Sequence, residues 1–218
     1  MRQPNLRTTF TVAIVDNDPM SLKSITSLVA SSLPQVRILW AVEQGSQAVC
    51  LATKSDSQPD VLLVDMSMED MPGSMVCRRI RRATDQVSLL AMTSFSVQIY
   101  ADQAWRSGAQ GIVGKGDGDE LIRALLAVAN GSTYGDGGFE SGALSHFRIQ
   151  SSRPTKKDLL SDREIQVMDL LAEGLEDDEI AEKLNIGRTT VRKHLQSVKQ
   201  KLGARNRIQM VLRWMKSE

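Results

Sequence analysis

The first two thirds of the chain alternate short apolar runs with segments of helical periodicity. The runs are rich in branched residues and span 11–15, 36–42, 61–64, 88–92 and 111–113. Strands that alternate with helices are typical of a parallel sheet covered by helices on both faces. The sequence therefore predicts an α/β fold here, built on a doubly wound, five-stranded parallel sheet.

Polar residues stand where four of these predicted strands end. Asp16 and Asp18 follow the first strand, Asp65 follows the third, Thr93 follows the fourth and Lys115 follows the fifth. Ligands of such sheets bind beyond the carboxyl ends of the strands, so these side chains are expected to share one pocket.

Carboxylates that converge in one pocket repel one another, and a hard cation such as Mg²⁺ is the usual way to keep them ionised. We therefore predict that Asp65 attacks a phosphoryl donor and becomes an aspartyl phosphate, with Mg²⁺, Lys115 and the Thr93 hydroxyl stabilising the transferred oxygens. The alternative is that these acids only cap the following helices, a role that suits Asp18 before Pro19.

The last third of the chain is divided sharply by charge. Residues 183–217 contain ten lysines and arginines and no acid, whereas residues 158–182 contain ten acids and one arginine. An uninterrupted basic stretch can neutralise phosphates and release their counterions, which favours a nucleic-acid-binding surface. The alternative is a solvated helix face, the usual meaning of a run of charges.

Helical periodicity beneath this charge supports the nucleic-acid interpretation. Val191, Leu195, Val198 and Leu202 fall on one stripe of a helix. The opposite face presents side chains that can reach phosphates and base edges in a major groove, namely Thr189, Arg192, Lys193, Gln196 and Gln200. A short apolar helix and a tight turn at 185–187 precede it, as in a helix-turn-helix.

Two more helices complete a predicted smaller all-α domain. A capping box at 161–164 opens the first of them, and Gly174 ends it. The last helix carries an apolar stripe that we expect both to cover the small core and to pair with a second copy, consisting of Ile208, Val211, Leu212 and Met215.

Composition separates the two predicted domains. Residues 1–154 contain fourteen basic and fifteen acidic side chains, and a Gly- and Ser-rich stretch at 130–138 leads into a polar segment that reaches 157. We predict a first domain over 8–133, a linker over 134–157 and a second domain over 158–218. Cys50 and Cys77 have no metal or redox spacing and are expected to be buried free thiols.

No apolar run approaches the roughly 20 residues that cross a bilayer, and the N-terminus lacks the apolar core of a signal peptide. The chain is expected to be soluble and cytoplasmic, with no membrane partner.

The first domain resembles the receiver domain of bacterial two-component response regulators. The matching residues are 15–16, Pro19, 60–65, Met68, Met71, Gly73, Thr93, 108–109, Gly111 and Lys115. The resemblance implies a flavodoxin-like fold in which a sensor histidine kinase phosphorylates Asp65. It also implies that the Ser67 carbonyl joins Asp16 and Asn17, and possibly Asp18, around Mg²⁺.

The second domain resembles the DNA-binding domain of the LuxR (NarL/FixJ) type. The matching residues are 160–164, 171–175, 179–181, Leu184, 190–192, His194 and 201–207. The resemblance implies that Arg192, Lys193 and Gln196 lie in the groove of double-stranded DNA, with Thr189 and Lys199 nearer its backbone. It also implies a homodimer in the active state.

Several positions depart from these families, and three of them bear on the predicted function. Asn17 replaces the second acid of the usual metal-binding pair, and Ile112 replaces an aromatic ring that moves on phosphorylation. Gly187 can cap the recognition helix only with its backbone.

The sequence therefore predicts a transcription regulator, not an enzyme, controlled by phosphorylation of Asp65. One alternative is a phosphorylation-independent regulator whose degenerate receiver serves dimerisation or partner binding, which Asn17 and Ile112 favour. A more distant alternative is a Mg²⁺-dependent phosphatase, which would need an acid where the chain has Ser67.

Overall fold

A computed structural model describes residues 9–68, 71–136, 138–152 and 160–216. The chain forms two compact units, Met1–Ser152 and Arg153–Glu218, which are described separately below. None of the helices in these described ranges is long and apolar enough to cross a membrane.

The first unit is built on five parallel strands in the order β2-β1-β3-β4-β5. The strands are β1 (Thr11–Val15), β2 (Arg37–Val42), β3 (Val61–Asp65), β4 (Ser88–Thr93) and β5 (Gly111–Gly114). This order confirms the predicted doubly wound sheet, and the chain reverses its direction of winding between β1 and β3. Val15 pairs with Val64 across this boundary, so the residues that follow these two strands are neighbours.

Five helices cover the sheet: α1 (Pro19–Ser32), α2 (Gly45–Ala52), α3 (Gly73–Ala83), α4 (Val97–Arg106) and α5 (Gly118–Ala129). All five residues of β3 are buried, because helices lie on both faces of the central strands. Helix α1 begins after Asp18, whose carboxylate accepts the amides of Met20 and Ser21. Pro19 suits the first helical position because it has no amide hydrogen to leave unpaired.

A further helix, α6 (Gly142–Ser151), follows α5 and packs against α3. We expected residues 134–157 to form a linker, and for 142–151 that expectation is wrong. Ser141 caps the new helix by accepting the Leu144 amide, and Ser145 and Ile149 are buried. The polar segment that suggested a linker therefore includes the cap of a helix and an inward-facing serine. Residues 153–157 of the expected linker lie outside the described residues.

Helix α6 packs near a buried cation, Arg81 of α3. The Arg81 guanidinium has no exposed surface and donates hydrogen bonds to three backbone carbonyls and to the side chain of Gln110. Burial lowers its pKa to about 10, which still leaves the group charged at neutral pH. His146 of α6 contacts the Arg81 carbonyl through its ring nitrogen Nδ1.

The two cysteines differ in their environment. Cys77 is buried, as expected, and burial raises the pKa of its thiol to about 12. Cys50 is exposed, so the expectation for it is wrong. Helix α2 buries Ala48 and Ala52. Cys50 lies midway between them in the sequence and therefore points to the opposite side of the helix.

Within 160–216, the second unit contains four helices: α7 (Asp162–Ala172), α8 (Asp177–Lys183), α9 (Arg188–Leu202) and α10 (Arg207–Lys216). The predicted capping box is present, because Ser161 accepts the Glu164 amide and Glu164 accepts the Ser161 amide. The predicted stripe of α9 contributes Val191, Val198 and Leu202 to the core.

Helix α10 covers this core with residues that we did not predict. Met210 and Trp214 are buried, and the Trp214 indole donates to Asp169 at 3.0 Å. The stripe expected to cover the core stays outside it: Ile208, Leu212 and Met215 are 71%, 50% and 66% exposed. Our expectation that this stripe forms part of the core is therefore wrong for these three residues.

Candidate functional site

One ammonium group connects two buried carboxylates at the carboxyl edge of the sheet. Lys115 Nζ lies 2.7 Å from Asp16 Oδ2 and 2.8 Å from Asp65 Oδ1. Asp16 is completely buried and Asp65 is 3% exposed. Charge-assisted contacts of this length are strong, and they are stronger where water is excluded. Three of the predicted site residues therefore meet as one charged cluster.

The sheet order positions this cluster. Asp16 follows β1 and Asp65 ends β3, and these strands are adjacent. Lys115 directly follows β5, and its amide donates to the Thr93 carbonyl at 2.8 Å, which extends the pairing of β4 with β5. Its long side chain crosses from β5 to the first and third strands.

The charges in the pocket do not balance, because one cation faces two carboxylates. Burial raises the pKa of Asp65, the hydrogen bond and charge of Lys115 lower it, and the Asp16 charge raises it further. The net shift is upward. Asp65 Oδ1 depends on the Lys115 ion pair, since no hydrogen bond of good geometry to this atom is found among the described residues. A second positive charge would stabilise the ionised pair.

Asp16 and Asp18 have different roles in the structure. Asp16 accepts the Ser21 hydroxyl and, at 3.0 Å, the Asp18 amide, in addition to Lys115. The Asp18 carboxylate accepts the Met20 amide at 2.8 Å as the cap of α1. Our alternative reading, that strand-end acids cap helices, is therefore correct for Asp18. Asn17 lies between them and is half-buried.

Backbone and hydroxyl groups complete the edge of the pocket. The Ser67 amide donates to the Asp65 carboxylate, and the Thr93 hydroxyl, which is buried, accepts the Phe95 amide at 3.0 Å. The backbone turns tightly here, since a Cβ at Gly73 would lie 2.0 Å from the Asp65 carbonyl oxygen. Only glycine fits at that position.

The donor set fits a hard divalent cation. Asp16 and Asp65 bring two carboxylates together there, and carboxylate oxygens are among the ligands that Mg²⁺ prefers. Within the described ranges there is no group of three His, Cys, Asp or Glu side chains that could hold a metal. The site therefore offers one carboxylate fewer than the family pattern would supply, because Asn17 is neutral.

Sequence reasoning missed one residue beside this pocket, Tyr100 of α4. The Ser67 hydroxyl donates to the Tyr100 hydroxyl at 3.2 Å. No spacing rule connects residues 33 positions apart, so only the packing of α4 against α3, β4 and β5 could reveal the contact.

In the second unit, helix α9 exposes one polar face. All five side chains predicted to contact DNA are exposed: Thr189, Arg192, Lys193, Gln196 and Lys199. The helix begins at Gly187, which makes no side-chain cap, as expected. Lysine, arginine and glutamine on one exposed helix face have the hydrogen-bonding groups that reach phosphates and base edges.

The basic face of α9 is partly neutralised by α8. Arg192 lies 3.2 Å from Asp177, which also binds Arg207 of α10 at 2.6 Å. Arg188 lies 3.0 Å from Asp178. These pairs connect α8, α9 and α10, so the sharp contrast of charge along the sequence is reduced in the folded unit.

The other end of α9 is held by a buried carboxylate. Lys201 Nζ donates to both oxygens of Glu164, at 2.9 and 2.7 Å. Burial of Glu164 opposes its ionisation, but hydrogen bonds from Lys201, Ser197 and Ser161 outweigh that effect and lower its pKa to about 2. The exposed face of α9 is therefore held on a rigid support.

Comparison with known proteins identifies both units. Residues 12–126 match the family model of the response regulator receiver domain, and residues 158–214 match that of bacterial regulatory proteins of the luxR family. The chain is 30% identical over 207 residues to the nitrate/nitrite response regulator protein NarP of Escherichia coli (strain K12), and the match covers 92% of each chain.

Two solved structures of the regulator RcsB are similar over the whole chain. RcsB from Salmonella enterica serovar Typhimurium, bound to promoter rprA in the presence of the phosphomimetic BeF3−, has a TM-score of 0.50 and 25% identity, and covers 95% of this chain and 99% of RcsB. A structure of two RcsB dimers bound to two parallel DNAs has a TM-score of 0.53 and 25% identity, with 96% and 100% covered. The chain belongs to the response regulators in which a receiver domain is joined to a DNA-binding domain of the luxR family.

Proposed function

We propose that a sensor histidine kinase phosphorylates this response regulator on Asp65 and thereby controls its binding to DNA. The observation that carries the proposal is the Lys115 ammonium held within 2.8 Å of both Asp16 and Asp65. A buried carboxylate beside a fixed cation, at the edge of the sheet where ligands bind, is suited to receive a phosphoryl group.

The chemistry is a single displacement. An ionised oxygen of Asp65 forms a bond to phosphorus while the bond from phosphorus to the donor breaks, and the donor keeps the electron pair. Lys115 lowers the pKa of Asp65 against the effect of burial, so it favours the ionised form that attacks. The same ammonium then neutralises negative charge on the transferred oxygens.

Other groups orient the phosphoryl group. The Ser67 amide, which donates to the Asp65 carboxylate, and the Thr93 hydroxyl at the end of β4 would donate hydrogen bonds to its oxygens. Asp16, Asn17, Asp65 and the Ser67 carbonyl would hold Mg²⁺, which supplies further neutralisation of charge when bound. Asp18 is not part of this proposed set, because its carboxylate caps α1.

DNA binding is proposed for the exposed face of α9. Arg192, Lys193 and Gln196 would enter the major groove, and Thr189 and Lys199 would contact the backbone. RcsB, a relative over the whole chain, is bound to a promoter in its structure. Arg192 would exchange its ion pair with Asp177 for a phosphate or base: the Arg192 side chain is 60% exposed, and Asp177 would keep its ion pair with Arg207 at 2.6 Å.

We propose a homodimer for the active state, formed through the exposed stripe Ile208, Val211, Leu212 and Met215. Three of these side chains are at least half exposed on one helix, and apolar side chains grouped in this way favour an interface. RcsB binds DNA as dimers. We place the protein in the cytoplasm, with its DNA.

The rival proposal keeps DNA binding but makes the receiver unit insensitive to phosphorylation. Asn17 favours it, because a neutral amide attracts a cation less than a carboxylate does. A phosphatase is less well supported, since residue 67 is a serine whose hydroxyl bonds to Tyr100.

Phosphorylation of Asp65 is tested by intact mass. Incubating the full chain with acetyl phosphate and Mg²⁺ should add one phosphoryl group to the wild-type protein and none to Asp65→Asn. The matched control is Asp18→Asn, which alters an acid at the same edge and should still be modified. An unmodified wild-type protein would support the rival proposal.

Asn17 is expected to weaken the metal site. Asn17→Asp adds a full negative charge about 2 Å from a bound Mg²⁺, so it should tighten Mg²⁺ binding and speed phosphorylation. Tryptophan fluorescence or amide shifts during a Mg²⁺ titration measure the affinity. Asp18→Ala should remove the cap of α1, costing about 1 kcal/mol of stability, and leave the affinity unchanged. If Asn17→Asp left the Mg²⁺ affinity unchanged and Asp18→Ala abolished Mg²⁺ binding, Asp18 would be the ligand.

The assignment of the exposed face of α9 to the major groove is tested with DNA sites that the wild-type protein selects from a random pool. We expect these sites to contain two inverted half-sites about one helical turn apart. Lys193→Ala and Gln196→Ala should each lower discrimination against random DNA by about 1–3 kcal/mol. Lys199→Ala should weaken binding to both kinds of DNA equally. Arg123→Ala, on the exposed side of α5, is the control. Equal losses on both DNAs for all three variants would contradict this assignment.

The dimer is tested by comparing DNA with one and with two half-sites. Leu212→Asp places a charge in the apolar stripe, so it should lower affinity for two half-sites and leave affinity for one half-site unchanged. Leu212→Met preserves the apolar surface and is the control. Unchanged affinity for two half-sites in a folded Leu212→Asp variant would exclude this surface as the interface.

A further inference from the structure

The carboxylate of Asp16 is surrounded by hydrogen-bond donors, and one of them has no role in the proposed phosphoryl transfer. The Ser21 hydroxyl donates to Asp16 Oδ2, the Asp18 amide donates to Oδ1 at 3.0 Å, and Lys115 Nζ lies 2.7 Å from Oδ2. Asp16 has no exposed surface, so these groups take the place of water around it. Ser21 therefore contacts a central acid of the pocket from outside the group of residues assigned to the transfer.

Ser21 is held in place by the first turn of α1. The Leu22 amide donates to the Asp18 carbonyl at 2.9 Å, and the Leu22 side chain is buried in the core of the unit. The Asp18 carboxylate accepts the Ser21 amide at 3.4 Å as part of the helix cap. The backbone bond and the burial of Leu22 do not require that carboxylate. A rigid turn therefore presents the Ser21 side chain to Asp16.

The donors to Asp16 are divided unequally between its two oxygens. An ionised carboxylate has about four acceptor positions, two on each oxygen. Ser21 and Lys115 both donate to Oδ2 and fill its positions. The Asp18 amide fills one position on Oδ1, and no second donor to Oδ1 is found among the described residues. Oδ1 is therefore the oxygen that Asp16 has available for a cation.

Of the two donors to Oδ2, Ser21 is the more rigid. Lysine carries its ammonium on a flexible four-carbon stem, and Lys115 is also drawn to Asp65 Oδ1 at 2.8 Å. A serine hydroxyl oxygen is attached directly to Cβ, so its position is set by the helix and by one side-chain torsion. A carboxylate turns easily about its last bond, because that torsion has a broad minimum. Ser21 is therefore the side chain best placed to stop Asp16 from turning.

The orientation of Asp16 is especially important in this chain because Asn17 is neutral. Asp16 and Asp65 supply the negative charge that the proposed site offers to Mg²⁺. Carboxylates that bind metals are commonly held by outer hydrogen bonds, and loss of such a bond weakens metal binding about 10- to 100-fold. A site with one acid fewer is expected to depend strongly on these bonds.

We propose that Ser21 is a positioning residue, which holds Asp16 with Oδ1 available to Mg²⁺; this inference rests on the proposed function of the pocket. Replacing a neutral hydroxyl changes no charge in the pocket, so the attraction for the cation changes little. Without the hydroxyl Asp16 can turn, which reduces the fraction of molecules in which Oδ1 is available. Loss of the Ser21 hydroxyl should therefore weaken Mg²⁺ binding about tenfold or more.

The experiment is a titration of the full chain with Mg²⁺ alone, followed by amide shifts, which also show that each variant is folded. Ser21→Ala should weaken binding about tenfold or more. The matched pair is Ser21→Thr, which keeps a hydroxyl and should bind as the wild-type protein does, and Ser21→Val, which has the same shape without the hydroxyl and should bind weakly. Ser24→Ala, at an exposed serine of the same helix, is the control and should bind normally.

A second measurement separates metal binding from chemistry. The initial rate of phosphorylation by acetyl phosphate is followed by intact mass at limiting and at saturating Mg²⁺. Ser21→Ala should be slower than the wild-type protein at limiting Mg²⁺ and should reach the wild-type rate at saturation, because Ser21 acts on binding of the cation. A variant with a damaged pocket would stay slow at both concentrations.

Each outcome has one meaning. A wild-type protein that gains no phosphoryl group contradicts the proposed function, and one that binds no Mg²⁺ overturns the role of Ser21. If the wild-type protein is phosphorylated and Ser21→Ala binds Mg²⁺ equally or more tightly, the role of Ser21 is overturned and the proposed function stands. Equal weakening in Ser21→Thr or in Ser24→Ala, or a rate of Ser21→Ala that stays low at saturating Mg²⁺, also overturns the role of Ser21.

Discussion

The receiver unit depends on the ammonium of Lys115 between the carboxylates of Asp16 and Asp65. Two carboxylates that are almost without solvent contact would otherwise repel each other, and burial alone raises the pKa of Asp65. One lysine reduces that cost but leaves a net negative charge. Lys115 therefore lets the two carboxylates be buried together in the folded chain. The remaining negative charge attracts a cation or the polarised phosphorus of a donor.

This arrangement follows from the order of the strands. Asp16, Asp65 and Lys115 are far apart in the sequence, and they meet because β1 and β3 are adjacent and β5 ends at the same edge. The sequence was sufficient to predict it, since branched apolar runs mark strands and a polar residue directly after each run marks its carboxyl end. The five strands were predicted to within one residue at each end for the same reason.

Other features could not be predicted because they depend on contacts between distant residues. Helix α6 lies in the polar segment that we expected to be a linker, and it is stabilised by burial of Ile149 against the receiver unit. Tyr100 reaches Ser67 only because of the way α4 packs against α3, β4 and β5. In the DNA-binding unit, apolar periodicity correctly predicted that α10 carries an apolar stripe. It did not predict which side of α10 faces the core, and that side carries Met210 and Trp214. Periodicity gives the spacing of a helix face, while its direction is set by packing.

We propose that phosphorylation of Asp65 controls DNA binding by the other unit. The most direct test is the affinity of the full chain for its selected DNA, measured on the same preparation before and after phosphorylation. We predict that phosphorylation raises the affinity of the wild-type protein, and that acetyl phosphate leaves the affinity of Asp65→Asn unchanged. Equal affinities of the phosphorylated and unphosphorylated wild-type protein would contradict the account.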